Sequence, residues 1–150
     1  MKRHDALSPF SRAHHEFLIL SQVLKSDVPD YKGMPTDTIG RQNYALDVYT
    51  NRLQPHMELE ESRLFPLLSG LHASIDQLIY ILIDDHAEID IHFKRMQGDS
   101  SISLGTEWMM DQLGRIIEQH IRLEEREFFE LIQAHASPEL MDKIMGIHSV

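Results

Sequence analysis

No cysteine occurs anywhere in the 150-residue chain. Disulfides, thiolate nucleophiles, iron–sulfur clusters and cysteine-ligated zinc are thereby excluded. Basic residues are scarce: 14 Lys and Arg stand against 24 Asp and Glu, a formal charge of −10. A surface of that sign repels phosphate backbones and anionic lipids and attracts cations, which argues against nucleic-acid or membrane partners. Long apolar runs are missing as well. Nothing approaches the ~18 residues of a membrane span. The opening MKRHDALSPF has no apolar stretch of signal-peptide length, so a soluble, cytoplasmic protein is expected. The period-2 alternation of strands is nowhere found. What the chain does have is an ordinary globular composition, 42% hydrophobic and 25% charged, together with ten histidines. Its length suits one domain, residues 1–150, able to bury a core unaided.

Apolar periodicity marks four long helices. The first is predicted from Ser8 to Lys25, with Ser8 as N-cap, Pro9 at the first helical position, and Phe10, Phe17 and Leu24 on its inner stripe. A loop with two prolines and Gly33 follows. The second helix is predicted from Thr36 or Asp37 to Leu68 on Tyr49, Leu53, His56, Glu60, Leu64 and Leu67, with Pro55 expected to kink it or end its first half. The third runs from Ser74 to Gln97 on Leu78, Leu82, His86, Ile89, Phe93 and Met96. After a polar loop from Asp99 to Gly105, the fourth runs from Thr106 to Ala134 on Leu113, Ile116, His120, Glu124, Phe128 and Leu131. Ser137 and Pro138 open a short tail helix. Trp108, Tyr44 and Tyr49 are expected to pack in the core or at the bundle ends. The fold expected is all-α, an antiparallel up-down-up-down four-helix bundle with a short C-terminal helix.

Histidine and glutamate stand on these stripes where a bundle core calls for leucine. His56 with Glu60, and His120 with Glu124, are four residues apart and share a helical face, so imidazole and carboxylate can converge on one ion. His86 lies on the third stripe and His14 on the first; the adjacent His15 takes the place of His14 if the first helix is rotated. Carboxylates buried among leucines cost several kcal/mol each unless something offsets them. A pair of divalent cations does so, and the mixed N/O ligands suit iron, manganese or zinc. An internal repeat supports the same reading: His56-Met-Glu-Leu-Glu60-Glu61 aligns with His120-Ile-Arg-Leu-Glu124-Glu125, and His14 with His86. The chain thus reads as two helical hairpins, each with a single-histidine helix and an HxxxE helix. Glu61, Glu125 and Asp90 are expected to lie outside the ligand set or at the surface. Asp90 and His4 remain open as ligands that complete it.

These motifs, from His4 to about Leu140, resemble the hemerythrin-like family, also called HHE cation-binding domains, and its small single-domain bacterial members in particular. The resemblance implies a non-haem di-iron centre. Glu60 and Glu124 would bridge two iron ions, together with an oxo or hydroxo group, and His14, His56, His86 and His120 would be terminal ligands. It also implies a small gaseous or peroxide ligand, in a monomer or homodimer. The chain departs from the oxygen carriers of the family: Asp90, not histidine, follows His86 at +4, and the fourth helix offers Glu124 at +4 and Glu125 at +5 of His120. These departures weigh against reversible oxygen storage. A dedicated enzyme is not expected, although peroxidase-like or nitric oxide chemistry is compatible with such a centre. Two other classes are weighed against this reading. Ferritin-like iron-oxidising enzymes use Glu-x-x-His, and no histidine of this chain has glutamate three residues before it. A zinc-holding or metal-free structural bundle, acting through a partner, would need its buried glutamates explained otherwise.

Overall fold

Each stretch with an apolar stripe forms a helix in the computed structural model, which describes residues 2–98 and 105–148. Helix α1 is Ser8–Leu24. Helix α2 begins as Thr38–Val48, passes through a π-helical turn at Tyr49–Leu53, resumes as Gln54–Leu59, widens again at Glu60–Leu64 and ends as Phe65–Leu68. Helix α3 is Ala73–Gly98. Helix α4 runs as Thr106–Leu123, a π turn at Glu124–Phe128, and Phe129–His135. Helix α5, Pro138–Met145, closes into a 3₁₀ turn at Gly146–His148. No strand occurs among the described residues. None of their helices is long and apolar enough to cross a membrane. Of the polar loop expected between α3 and α4, residues 99–104 lie outside the described residues.

Helix α1 packs along α4 and α2, and α3 along the same two, giving the antiparallel up-down-up-down bundle with α5 as its short tail. The approach of α1 to α4 is close enough that a Cβ at Gly114 would come 2.8 Å from the Ser21 carbonyl oxygen, so only glycine fits. At the C-terminal end of α1 the buried Arg41 donates from Nε to the Val23 carbonyl (2.8 Å) and from Nη2 to that of Leu24 (2.9 Å), and it pairs with Glu107 of α4 at 2.7 Å. Those orphan helix-end acceptors are thereby satisfied without water.

Three local expectations are corrected. Leu7, not Ser8, occupies the N-cap of α1; Ser8 is already helical and its hydroxyl donates back to the His4 carbonyl. Pro55 does not end α2, whose helical turns continue through it. The preceding π turn bonds the Gln54 N–H to the Tyr49 carbonyl, five residues back. Pro55 therefore stands in the first turn of a fresh α segment, where its missing N–H costs nothing. Pro66 follows the second π turn in the same way. Trp108 is 66% exposed, because it lies on the side of α4 opposite Leu113 and Ile117.

The π turns also move the core stripe. Each spends one residue more than an α turn, so the positions beyond it rotate by about 100°. Leu67 and Leu131, expected inside, are only half-buried, and Leu68 and Ile132 take their places with no exposed surface. Two apolar clusters result. One contains Phe10, Leu64, Leu82 and Phe128; the other contains Phe17, Met57, Ile89 and Ile121. Along every helix the polar stripe residue falls between a member of one cluster and a member of the other, so the histidines and glutamates form a single layer across the middle of the bundle.

Candidate metal centre

Glu60 and Glu124 are completely buried, and His14, His86 and His120 are within 2% of it. His56 is the most open of the six, with 9% of its side chain exposed. Each carboxylate reaches in two directions. Glu124 sets Oε2 3.3 Å from His14 Nε2 and Oε1 2.9 Å from His120 Nε2. Glu60 sets Oε2 3.7 Å from His56 Nε2 and Oε1 3.2 Å from His86 Nε2. Two groups of possible ligands follow, His14–His56–Glu60–Glu124 and Glu60–His86–His120–Glu124, with both glutamates common to the two.

The chemistry of this layer fits metal ions better than hydrogen bonds. All four glutamate oxygens and His86 Nε2 are buried with no hydrogen-bond partner of proper geometry, a condition worth several kcal/mol if nothing else satisfies them. Adjacent ligands on an ion with bonds of about 2.0–2.2 Å lie about 3 Å apart. The 2.9–3.3 Å spacings between nitrogens and oxygens are of that size, as is the 3.2 Å between His56 Nε2 and His14 Nε2.

Three of the four imidazoles are held from behind by an acid. His14 Nδ1 lies 2.7 Å from Glu125, His86 Nδ1 2.8 Å from Glu61, and His120 Nδ1 3.0 Å from Asp85. Such a partner keeps the proton on Nδ1 and turns the Nε2 lone pair inward, as metal-binding histidines require. Glu125 is itself anchored, accepting from Ser11 Oγ at 3.1 Å and from Arg3 at 3.0 Å, and the Arg3 guanidinium lies over the Phe129 ring. Aromatic rings close the layer: Phe129 stacks on His14 and Phe65 on His86, while Phe17 meets His56 edge-on.

The remaining sequence candidates lie apart from both groups. His15 is exposed, one helical residue and about 100° from His14. His4 is exposed too, its Nδ1 accepting from the Ala6 N–H at the start of α1. Asp90 accepts from the Tyr49 hydroxyl at 2.8 Å, which with burial keeps that phenol protonated. His72 and His135 stack on one another. The Asp85-His86 pair is part of the motif that carries the family resemblance, but the sequence gives Asp85 no role, because it acts across a helix pair: nothing in its spacing on α3 shows that it supports His120 on α4.

The family model of the hemerythrin HHE cation-binding domain matches residues 5–132. The chain is a member of the hemerythrin family. Comparison with curated proteins and with solved structures returns no significant match. Cation binding in this hemerythrin domain thus rests on the family and on the geometry of the histidine–glutamate layer together.

Protonation of the layer is uneven. Burial works against a charge on His120, yet Asp85 and Glu124 raise it to about 9. His14 is likewise raised in spite of burial, by Glu124 and Glu125. Burial and the neighbouring His14 push His56 down to about 3, and burial with His120 lowers His86. Burial and the facing Glu124 raise Glu60, whereas Glu124 is held low against its burial by Glu60, His120 and His14. At neutral pH a cation must therefore displace the proton of His120, and the upward shifts of His14 and Glu60 act in the same direction. Because these groups bind protons more tightly than usual, uptake strengthens as pH rises and levels off for His120 above about 9. Calorimetric titration at pH 6 and pH 8, in buffers of different ionisation enthalpy, will show proton release and weaker binding at pH 6. Equal affinity with no proton release would refute this account.

Proposed function

We propose that this hemerythrin domain holds two iron ions between its four histidines, bridged by Glu60 and Glu124, and binds dioxygen, peroxide or nitric oxide there, in handling oxygen, nitric oxide, oxidative stress or iron. The observation that carries this reading is the sharing of both glutamates by two four-ligand groups: each gives one oxygen to each half. Mixed imidazole and carboxylate ligands inside a four-helix bundle suit iron, with manganese or zinc as the alternatives. A pair of adjacent iron ions supplies electrons two at a time to a bound small molecule.

The chain's own residues do the rest. Asp85, Glu61 and Glu125 fix the rings of His120, His86 and His14 with Nε2 inward. Phe17, Phe65, Phe128 and Phe129, all nearly or fully buried, exclude bulk water from the layer. Glu60, raised by burial beside Glu124, is the carboxyl able to take up or give back a proton within the layer. Mass spectrometric metal analysis of protein expressed with iron supplied and purified without chelator tests the reading. It should find about two irons per chain, after which dioxygen, peroxide and nitric oxide titrations identify the ligand. A folded protein with iron near zero would leave zinc or a metal-free bundle instead.

A further inference from the structure

We infer that the two halves of the centre are unequal: a divalent cation enters the His86–His120 half first and is held there more tightly than in the His14–His56 half. The inference rests on the metal centre proposed above and concerns how it loads. It starts from the repeat. Glu61 and Glu125 occupy equivalent places, and each reaches across to the single histidine of the other hairpin, His86 and His14 respectively. Phe65 and Phe129 follow the same symmetry, stacking on the same two rings.

The symmetry fails at one position. Asp85, the residue before His86, supports His120. Its equivalent, the residue before His14, is Ala13, which has no carboxyl to offer His56. Among the described residues the only polar contacts of His56 are through Nε2, to His14 and Glu60. Its ring is positioned by edge contacts with Phe10, Phe17 and His14, with no acid behind it, and its side chain is 9% exposed where the other three histidines are at 2%.

Charge acts in the same direction. Glu61 and Asp85, behind the His86–His120 half, have no lysine or arginine within ion-pair distance among the described residues. Glu125, the only acid hydrogen-bonded to a histidine of the other half, is paired with Arg3 at 3.0 Å, a guanidinium that Glu130 shares at 3.4 Å. Two carboxylates without a cation partner thus stand behind one half and a single arginine-paired carboxylate behind the other, while Glu60 and Glu124 serve both. Losing one such supporting acid costs 10–100-fold in metal affinity. The two halves should therefore differ by at least about tenfold.

Because shared carboxylates make the second ion bind more weakly even in a symmetric site, each half is measured alone. Cobalt(II) is titrated into folded protein by calorimetry, with its visible absorption as the record of coordination. His56→Ala should keep one ion, with the affinity of the first wild-type step. His120→Ala should keep one ion bound at least about tenfold more weakly. Ala13→Asp should strengthen the second wild-type step by about tenfold, and Asp85→Asn should weaken the first by a similar factor. If Ala13→Asp does not fold, Asp85→Asn and Glu61→Gln carry the comparison. Equal affinities in the two histidine variants, or the reverse order, would overturn the inference while leaving a two-ion centre in place. No cobalt uptake by folded wild-type protein would instead overturn the metal centre itself.

Discussion

Removing metal with a chelator will lower the melting temperature of this protein by roughly 10 °C. A ligand that binds only the native state adds about 4 kcal/mol at a thousand times its dissociation constant. For a chain of this length each kcal/mol is worth about 2–4 °C. The shared layer exists only in the folded bundle: its six residues come from four helices and are brought within ligand distance by tertiary packing, so the unfolded chain competes weakly. Thermal scans of the metal-loaded protein with and without chelator, at one pH and ionic strength, make the measurement. An unchanged melting temperature would mean that the buried glutamates are satisfied by something other than an ion.

The second large effect has opposite signs in two conditions. In excess chelator, Glu60→Leu should be more stable than the wild type by about 1–4 kcal/mol, the gain seen when buried polar groups without good partners give way to well-packed apolar ones. Glu60 qualifies because burial and Glu124 already drive it toward its neutral form, and neither of its oxygens has a hydrogen-bond partner. With metal supplied, the order reverses, because the variant has lost an oxygen ligand from each half. Glu124→Leu makes the contrast. Glu124 balances His14 and His120, both raised toward the protonated form, so its loss leaves positive charge buried and destabilises the chain in either condition. Urea unfolding of the three proteins, each with metal and with chelator, gives the six free energies. A Glu60→Leu protein less stable than wild type in chelator would contradict this electrostatic picture.

The bundle and its polar layer were legible in the sequence for a simple reason. A period of 3.6 places His56 with Glu60 and His120 with Glu124 on faces that leucines otherwise occupy, and helix α3 keeps that period without interruption, so every stripe residue from Leu78 to Met96 is buried. What stayed hidden falls into two kinds. The π turns at Glu60–Leu64 and Glu124–Phe128 break the period at the site itself, which is why Leu67 and Leu131 lie off the core stripe expected of them; Ile116, before the second turn, is also half-buried, with Ile117 fully buried beside it. The support of His120 by Asp85 and the tie of Arg3 to Glu125 join different elements, and no spacing within one helix encodes such a contact. The aromatic character of Trp108 points to the core, whereas its angular position on α4 turns it to the outside.

The widened turns carry a consequence for how the chain tolerates changes of length. An ordinary helix that loses one residue throws everything downstream out of frame. In α4 a surplus residue is already stored in one turn and in α2 in two, and in each helix one such turn begins at the bridging glutamate candidate. Removing a residue from the exposed segment Glu61–Arg63, or from Arg126–Glu127, would let the helix close as regular α while Glu60 and Glu124 stayed where they are. Only the lower half of each helix would be re-indexed, with Phe65 and Phe129 swung away from the rings of His86 and His14. The frame of the ion-binding half and the frame of the half that seals it are thus set independently, each by the chain length on its own side of the turn.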